Sequence, residues 1–358
     1  MFKVALRVAV SLLVGGALLW WSLRNVEWAA VGAALRGAEW IYFVPYVLSL
    51  AMIHLLRTLR WGELLRPIDH VPFPRLLAVS SIGLAAIMLL PLRLGEFVRP
   101  MLIRDGKKIR FGAALATVAA ERVIDGLLVA ALILVLLVSL GPTGALDPAM
   151  AGTLQRWGIG FGAFFLAGFV VLWFAHRDRE RFRRLASRLL FFSTRLRALV
   201  ERMVVTFADG LAAVESPRQL GAFMAYTLAY WGINGLGMWW LFKAFHLPLG
   251  VGASFAVMSF VVIGVMIPGG PGALGNFELF GRWGMLMFLR DVRIVDSTGV
   301  AYILVLHTLQ LVSQTLFAVV FLGSRHGSAA GTIDAIRRTL SGKIDGDEEP
   351  PAAPAAAA

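Results

Sequence analysis

The chain has 358 residues, 58% of them hydrophobic and only 16% charged, with a mean hydropathy of +0.75. A soluble globular domain does not carry that much apolar surface, so the composition identifies an integral membrane protein. The formal charge of +12 comes from Lys and Arg gathered at the ends of apolar runs, which argues against a nucleic-acid face and for anionic lipid; the absence of cysteine excludes disulfides, thiolate metal sites and cysteine nucleophiles.

The first apolar run, residues 4–23, follows Lys3 and Arg7 and ends in Trp20-Trp21. Those tryptophans are too bulky for a small-residue cleavage site, so the run reads as an uncleaved signal anchor. A second span is expected at 40–61, where His54, Arg57 and Trp61 recur at helical spacing beside Arg60. They read as snorkelling arginines and an interfacial tryptophan at the span's end. The next apolar piece, 75–90, stops at Pro91, and apolar sequence resumes over 94–109. Between them Arg93, Glu96 and Arg99 are spaced by three, so a helix would present one polar ridge with the carboxylate between two guanidiniums. Arg forks suit phosphate or carboxylate, and Glu96 would restrain them or read a cationic headgroup. The blander reading has Glu96 neutralise an arginine so that the tip can be buried.

A third span, 112–140, carries Glu121-Arg122-Val-Ile-Asp125. Glu121 and Asp125 share a helix face and Arg122 can pair with either, a costly group at membrane depth unless it faces the bundle interior. There it would partner Arg93 or Arg99; a helix extended past the bilayer would instead leave it near the interface. A fourth span is expected at 157–175. In the basic segment that follows, Phe182, Leu185, Leu189, Phe192, Leu196, Leu199 and Met203 form one helical stripe beside Arg181, Arg188, Arg195 and Arg202. This reads as an amphipathic helix over about 178–203, lying on the anionic inner leaflet or packing against protein.

After a fifth span at 219–242, in which Asn234 and Lys243 are ambiguous, the apolar piece 251–267 stops at Pro268 and apolar sequence resumes over 274–290. The break holds Gly269, Gly270, Pro271, Gly272 and Gly275, then Asn276 and Glu278. Glycines permit positive φ and close backbone approach, and a helix restarting near Ala273 or Asn276 would aim free N–H groups at a phosphate oxygen. The glycines equally suit a tight membrane turn; Glu278 is the residue expected to matter most. No Gly-Lys-Ser/Thr follows, so this is not a nucleotide loop. The last span, 298–322, carries the polar stripe His307, Gln310 and Gln314, read as interhelical hydrogen bonding ahead of a proton relay. Residues 324–358 form a cytoplasmic tail, disordered from about 342 where the chain turns acidic and Pro/Ala-rich.

Charge bias fixes an expected topology. If both interrupted pieces crossed fully, the cluster Arg93 to Arg110 and the basic segment after Ala175 would face outward. If instead 75–109 enters and leaves on the cytoplasmic side and 251–290 on the outer side, every dense basic cluster lies inside. The expected fold class is therefore all-α: a single polytopic membrane helix bundle over residues 1–323, with about six full spans plus two oppositely facing re-entrant helical hairpins and both termini cytoplasmic.

The series Leu-Arg-Thr-Leu-Arg60-Trp61, Pro91-x-Arg93-x-Gly95-Glu96-x-x-Arg99, Glu121-Arg122-x-x-Asp125 and Pro268-Gly-Gly-Pro-Gly-Ala-Leu-Gly275-x-x-Glu278 resembles the flippase-like membrane domain family related to the transmembrane region of lysylphosphatidylglycerol synthases. The resemblance implies an inner-membrane protein that moves or binds a lipid, with these charges on the headgroup path. The sequence departs from the family in lacking a large cytosolic aminoacyl-transfer domain after the membrane part and in reading Pro-Gly-Gly-Pro-Gly where a Ser-Pro-Gly-Gly core is expected. The expectation is accordingly a non-enzymatic, cofactor-free lipid translocator whose partner is an anionic or aminoacylated phospholipid or another lipid-linked substrate. A membrane scaffold for lipid or a lipid-modifying enzyme is the alternative, and a second copy of the chain or a lipid-synthesis enzyme is left open as partner. An enzyme acting on a lipid-linked sugar or phosphate is a third reading.

Overall fold

The computed structural model describes residues 2–104, 108–140, 148–189, 216–267, 269–324 and 329–341, and among these every regular element is helical. Helix α1 (Phe2–Leu23) is followed by α2 (Trp28–Arg36), set at 82° to it. Trp28, Trp40 and Ile41 stay exposed around this corner. Aromatic rings at a bend between a long apolar helix and a short amphipathic one suit the bilayer–water boundary.

Helix α3 (Phe43–Leu65) leads to α4 (Phe73–Leu89), a 3-10 stretch Pro91–Phe97, the short α5 (Val98–Ile103) and the long α6 (Phe111–Leu140). Beyond it lie α7 (Pro148–Arg177) and α8 (Arg179–Leu189). The second half repeats the order: a long α9 (Pro217–Ala244), then α10 (Val251–Met266), a glycine-rich break, α11 (Asn276–Leu286), and α12 (Val300–Leu322). The last described helix is α13 (Ala329–Ser341). By length and apolarity alone, Trp40–Leu65, Phe111–Ser139 and Val292–Leu322 can each cross a bilayer, and the bent α1–α2 pair makes a fourth if counted as one span. The all-helical, multi-pass architecture expected from the sequence is therefore present.

Both interrupted helices end where the sequence places the breaks, α4 at Leu89 just ahead of Pro91 and α10 at Met266. α4 has 17 residues and α10 has 16, about 25 Å each at 1.5 Å per residue, short of the ~30 Å hydrocarbon core. The two halves are packed across one another. α3 lies along α9, α4 packs on α12 of the other half, and α10 packs on α6 of the first. Each broken helix thus rests on the long helix that closes the opposite half, and the breaks at Pro91–Phe97 and Pro271–Ala273 come into contact. α13 docks on α5, where Ala335 joins the cluster of Ala86, Val98, Met101 and Phe111.

The distribution of polarity is that of a protein solvated by lipid. Leu12, Leu13, Val135, Val138, Leu316, Val319 and Val320 are exposed on the long helices, whereas Arg60, Arg99, Glu121, Asp125, Glu278 and His307 are buried. Hydrocarbon accepts the first group at no cost and cannot solvate the second.

Candidate functional site

The charged residues fall into two groups, one around α6 and one behind the glycine-rich break. In the first, Asp125 receives both terminal nitrogens of Arg60, at 2.7 and 2.8 Å, and the indole N–H of Trp231 at 3.3 Å. Arg60 Nε also lies 3.3 Å from Glu121, whose second oxygen accepts from Arg99 at 2.8 Å. The Arg99 guanidinium stacks on Trp61, 4.1 Å from the ring centre, and Trp61 donates its N–H to Thr117 at 3.0 Å. Arg122 closes the set at 3.7 Å from Asp125. The side chain of Arg99 crosses α4 where Gly83 leaves room: a Cβ there would stand 2.0 Å from Arg99 Cγ.

Two expectations are corrected here. Arg60 and Trp61 are not snorkelling or interfacial groups but are 1% and 0% exposed. The reason is that α3 runs on for another turn to Leu65, so Arg60 is not at its end. The signal was available in Trp-Gly-Glu-Leu-Leu, which continues the helix beyond Arg60. The second correction concerns Arg93, Glu96 and Arg99, which do not form one ridge. Residues 91–97 are 3-10 and Arg93 has φ 58°. Residues i and i+3 eclipse in a 3-10 turn, and Glu96 accordingly accepts from Arg93 while Arg99 turns away to Glu121. Of the two acids on α6, Glu121 meets Arg99 as expected, and neither meets Arg93.

Behind the second break, Glu278 is 2% exposed. One of its oxygens lies 2.6 Å from His307 Nδ1 and the other accepts the Gly275 N–H at 2.7 Å. His307 Nε2 lies 2.7 Å from the Gly272 carbonyl, and Phe277 stacks on the imidazole. The carbonyl can only accept, so Nε2 carries a hydrogen, and one further proton lies between Nδ1 and Glu278, which leaves the acid and the ring together without net charge. α11 restarts at Asn276, as the sequence implies, and Glu278 reaches back to accept the Gly275 N–H just before it, the reciprocal half of a capping box. Asn276 donates to the carbonyls of Gly264 and Ile267, both at 3.0 Å. Gly269 accepts from Ser11 of α1 at 2.9 Å, and Gly15 sits so close to Gly270 that a Cβ on it would be 2.9 Å from the Gly270 Cα. The glycines of this break therefore bring α1 against its backbone. The His307 part of the stripe on α12 makes the interhelical bond expected of it.

Between the two groups lies a cavity of about 110 Å3 lined by side chains from both halves, including Arg57, Arg93, Arg122, Asp125, Asn234, Gln310 and Gln314 among apolar residues such as Met88, Met238, Met258 and Met266. Arg93 reaches it from the first break and donates to the Val265 carbonyl in the last turn of α10 at 2.6 Å, where the helix dipole is negative. The Arg57 guanidinium sits 5.8 Å from the Tyr230 ring centre. Sequence reading missed Arg57 and Asn234 as cavity residues; Glu278, expected there, stands behind the wall. Arg181 and Arg188 are exposed on α8, while Phe182 is buried; Arg195, Arg202 and most of the expected amphipathic helix lie outside the described residues. Among the described residues there is no cluster of three or more potential His or acidic metal ligands.

The model of the lysylphosphatidylglycerol synthase transmembrane region matches residues 5–318. The chain is also similar to the glycosyltransferase AglD of Haloferax volcanii, 26% identical over 251 residues, which cover 63% of this chain and 40% of that protein. The match thus spans less than half the length of that curated relative. No solved structure gives a significant match.

Proposed function

Because the chain belongs to the lysylphosphatidylglycerol synthase transmembrane family, we propose that it binds a membrane lipid by its headgroup in the cavity between the two broken helices and carries that headgroup across the bilayer. The observation that carries this reading is the cavity itself. Three arginines and three side-chain amides line it inside a bundle whose outer surface is apolar. Ionisable groups at membrane depth mark substrate paths far more often than they decorate structure. The acyl chains would remain in hydrocarbon while the headgroup passed between α3, α6, α9 and α12. In this proposal the chain makes six full crossings in a cytoplasmic membrane, the broken helices enter from opposite faces, and both termini are cytoplasmic. It carries no catalytic centre of its own, and passage is passive or ion-coupled. The likeness to a glycosyltransferase keeps sugar- and phosphate-bearing lipids among the substrates to be tested.

Reconstitution in liposomes with a headgroup-labelled lipid reads the rate at which label becomes inaccessible to a quencher outside. Asn234→Leu and Gln310→Leu each remove one amide from the cavity wall without breaking any ion pair described above. Each should lower the rate by about tenfold or more, the scale of one or two lost polar contacts, while thermal unfolding in detergent is unchanged. Wild-type rates in both variants would overturn the reading. The scaffold alternative draws on the exposed basic face of α8; it expects charge reversal at Arg181 and Arg188 to abolish function while the cavity variants remain active.

A further inference from the structure

The charges around the cavity do not cancel. Arg57, Arg60, Arg93, Arg99 and Arg122 supply five guanidiniums, against three carboxylates from Glu96, Glu121 and Asp125. Glu278, the other buried acid nearby, is balanced by His307. Two positive charges are left over. The pairing places the excess nearest Arg57 and Arg122. Arg60 takes both oxygens of Asp125, Arg99 holds Glu121, and Arg93 holds Glu96. That leaves Arg57 with no carboxylate within 4 Å among the described residues and Arg122 only at the margin, 3.7 Å from an acid already engaged. The Arg122 Nε has no hydrogen-bond partner among the described residues. Arg57 and Arg122 both line the cavity, together with Arg93.

Arg57 and Arg122 are both part-buried, Arg122 with 22% of its side chain exposed, and an excess of two guanidiniums over carboxylates held away from bulk water is unfavourable unless an anion completes it. We propose that the cavity is completed by a doubly charged phosphate headgroup, a lipid phosphate monoester, held between Arg57 and Arg122 with Arg93 at its edge. The proposal rests on the lipid-headgroup reading of the cavity and narrows it. A phosphate monoester carries about −1.5 to −2 charges at pH 7, which matches the excess, and its three oxygens accept from more than one guanidinium fork. The cavity's 110 Å3 is several times the roughly 10–15 Å3 that one water needs. Asn234, Gln310 and Gln314 offer further amide donors on the same walls. An aminoacylated, net cationic headgroup meets the opposite situation: every carboxylate in the cluster is already held by an arginine, and the excess positive charge around Arg57 and Arg122 repels it. Of the headgroup classes that the sequence leaves open, the structure favours the anionic one.

The full-length protein, in nanodiscs of phosphatidylcholine containing equal small fractions of phosphatidic acid, phosphatidylglycerol and lysylphosphatidylglycerol, is released and weighed by native mass spectrometry with retained lipid. Phosphatidic acid should be retained over the lysyl lipid by about tenfold or more, with phosphatidylglycerol between them. Arg57→Gln and Arg122→Gln should each erase the preference, and Arg57→Lys, which keeps the charge, should restore part of it even if the Gln variant folds poorly. Equal or stronger retention of the lysyl lipid overturns the charge assignment and leaves lipid binding standing. Retention of no lipid, with inorganic phosphate protecting the protein from thermal unfolding in an Arg57-dependent way, keeps the phosphate site and overturns the headgroup reading. Neither retention nor protection overturns both.

Discussion

Arg60 and Asp125 stand 65 residues apart in the chain, yet their side chains form a two-pronged ion pair with 1% and 3% of their surface exposed. Burying such a pair gains little over an apolar pair of the same shape, but removing one partner strands the other charge at a cost of about 3–5 kcal/mol. Arg60→Met should therefore lower the unfolding temperature in detergent steeply, since Asp125 and Glu121 both lose a counter-charge. Asp125→Leu alone should do likewise, and the double variant Arg60→Met with Asp125→Leu should recover a large part of the loss. A double variant as unstable as the sum of the singles would mean that the two residues do not act as a pair. Glu278 belongs to the same class: its partners Gly275 and His307 make it a clasp for the second break, so its removal is expected to act on folding as well as on transport. The spacing Glu-x-x-x-Asp on α6 is enough to say that these acids share one helix face. It cannot say which arginine reaches them, because an ion pair is a property of three-dimensional proximity.

At the scale of elements, the two breaks are built differently. The first turns on a 3-10 stretch with Arg93 at positive φ, the second on Gly272 and Gly275 at φ 69° and 85°. Gly275 has no room for a side chain: a Cβ would stand 2.5 Å from the Gly15 carbonyl oxygen on α1. Gly275→Ala should cost about 1–3 kcal/mol from the backbone conformation alone, before any clash is counted. Gly16, one residue along α1 from the contact, has nothing within 4 Å of a Cβ, and Gly16→Ala should be neutral or stabilise α1 slightly, by up to about 1 kcal/mol. Thermal unfolding of the two variants side by side separates the loss of close approach from the general cost of losing a glycine. The prolines announced both breaks, because a ring in place of an N–H ends a helix whatever surrounds it. What the glycines contact was not announced, since α1 lies more than 240 residues earlier in the sequence.

For the whole molecule, the open question is how many times the chain crosses. If α10 and α11 form a hairpin that returns to the face it entered, then Arg181 and Arg293 lie on opposite sides of the membrane; if the two together make one crossing, they share a side. Both side chains are well exposed, at 73% and 87%, and the chain contains no cysteine. Arg181→Cys should be labelled by an impermeant maleimide only from the cytoplasmic side of oriented vesicles and Arg293→Cys only from the outer side. Labelling of both from one side would remove the re-entrant topology. The sequence by itself determined that this is a multi-pass helical membrane protein, that two of its apolar runs are interrupted near Pro91 and Pro268, and that Glu121 and Asp125 share a helix face with Arg122 in reach, because apolar run length, ring chemistry and helical spacing act locally. Only the tertiary structure decided that Arg60 neutralises α6, that Glu278 is clasped by His307 behind the cavity wall, and that Arg57 and Arg122 are left facing the cavity. Those outcomes depend on which helices cross between the two halves, and a charge becomes free or paired only when its neighbours from elsewhere in the chain have arrived.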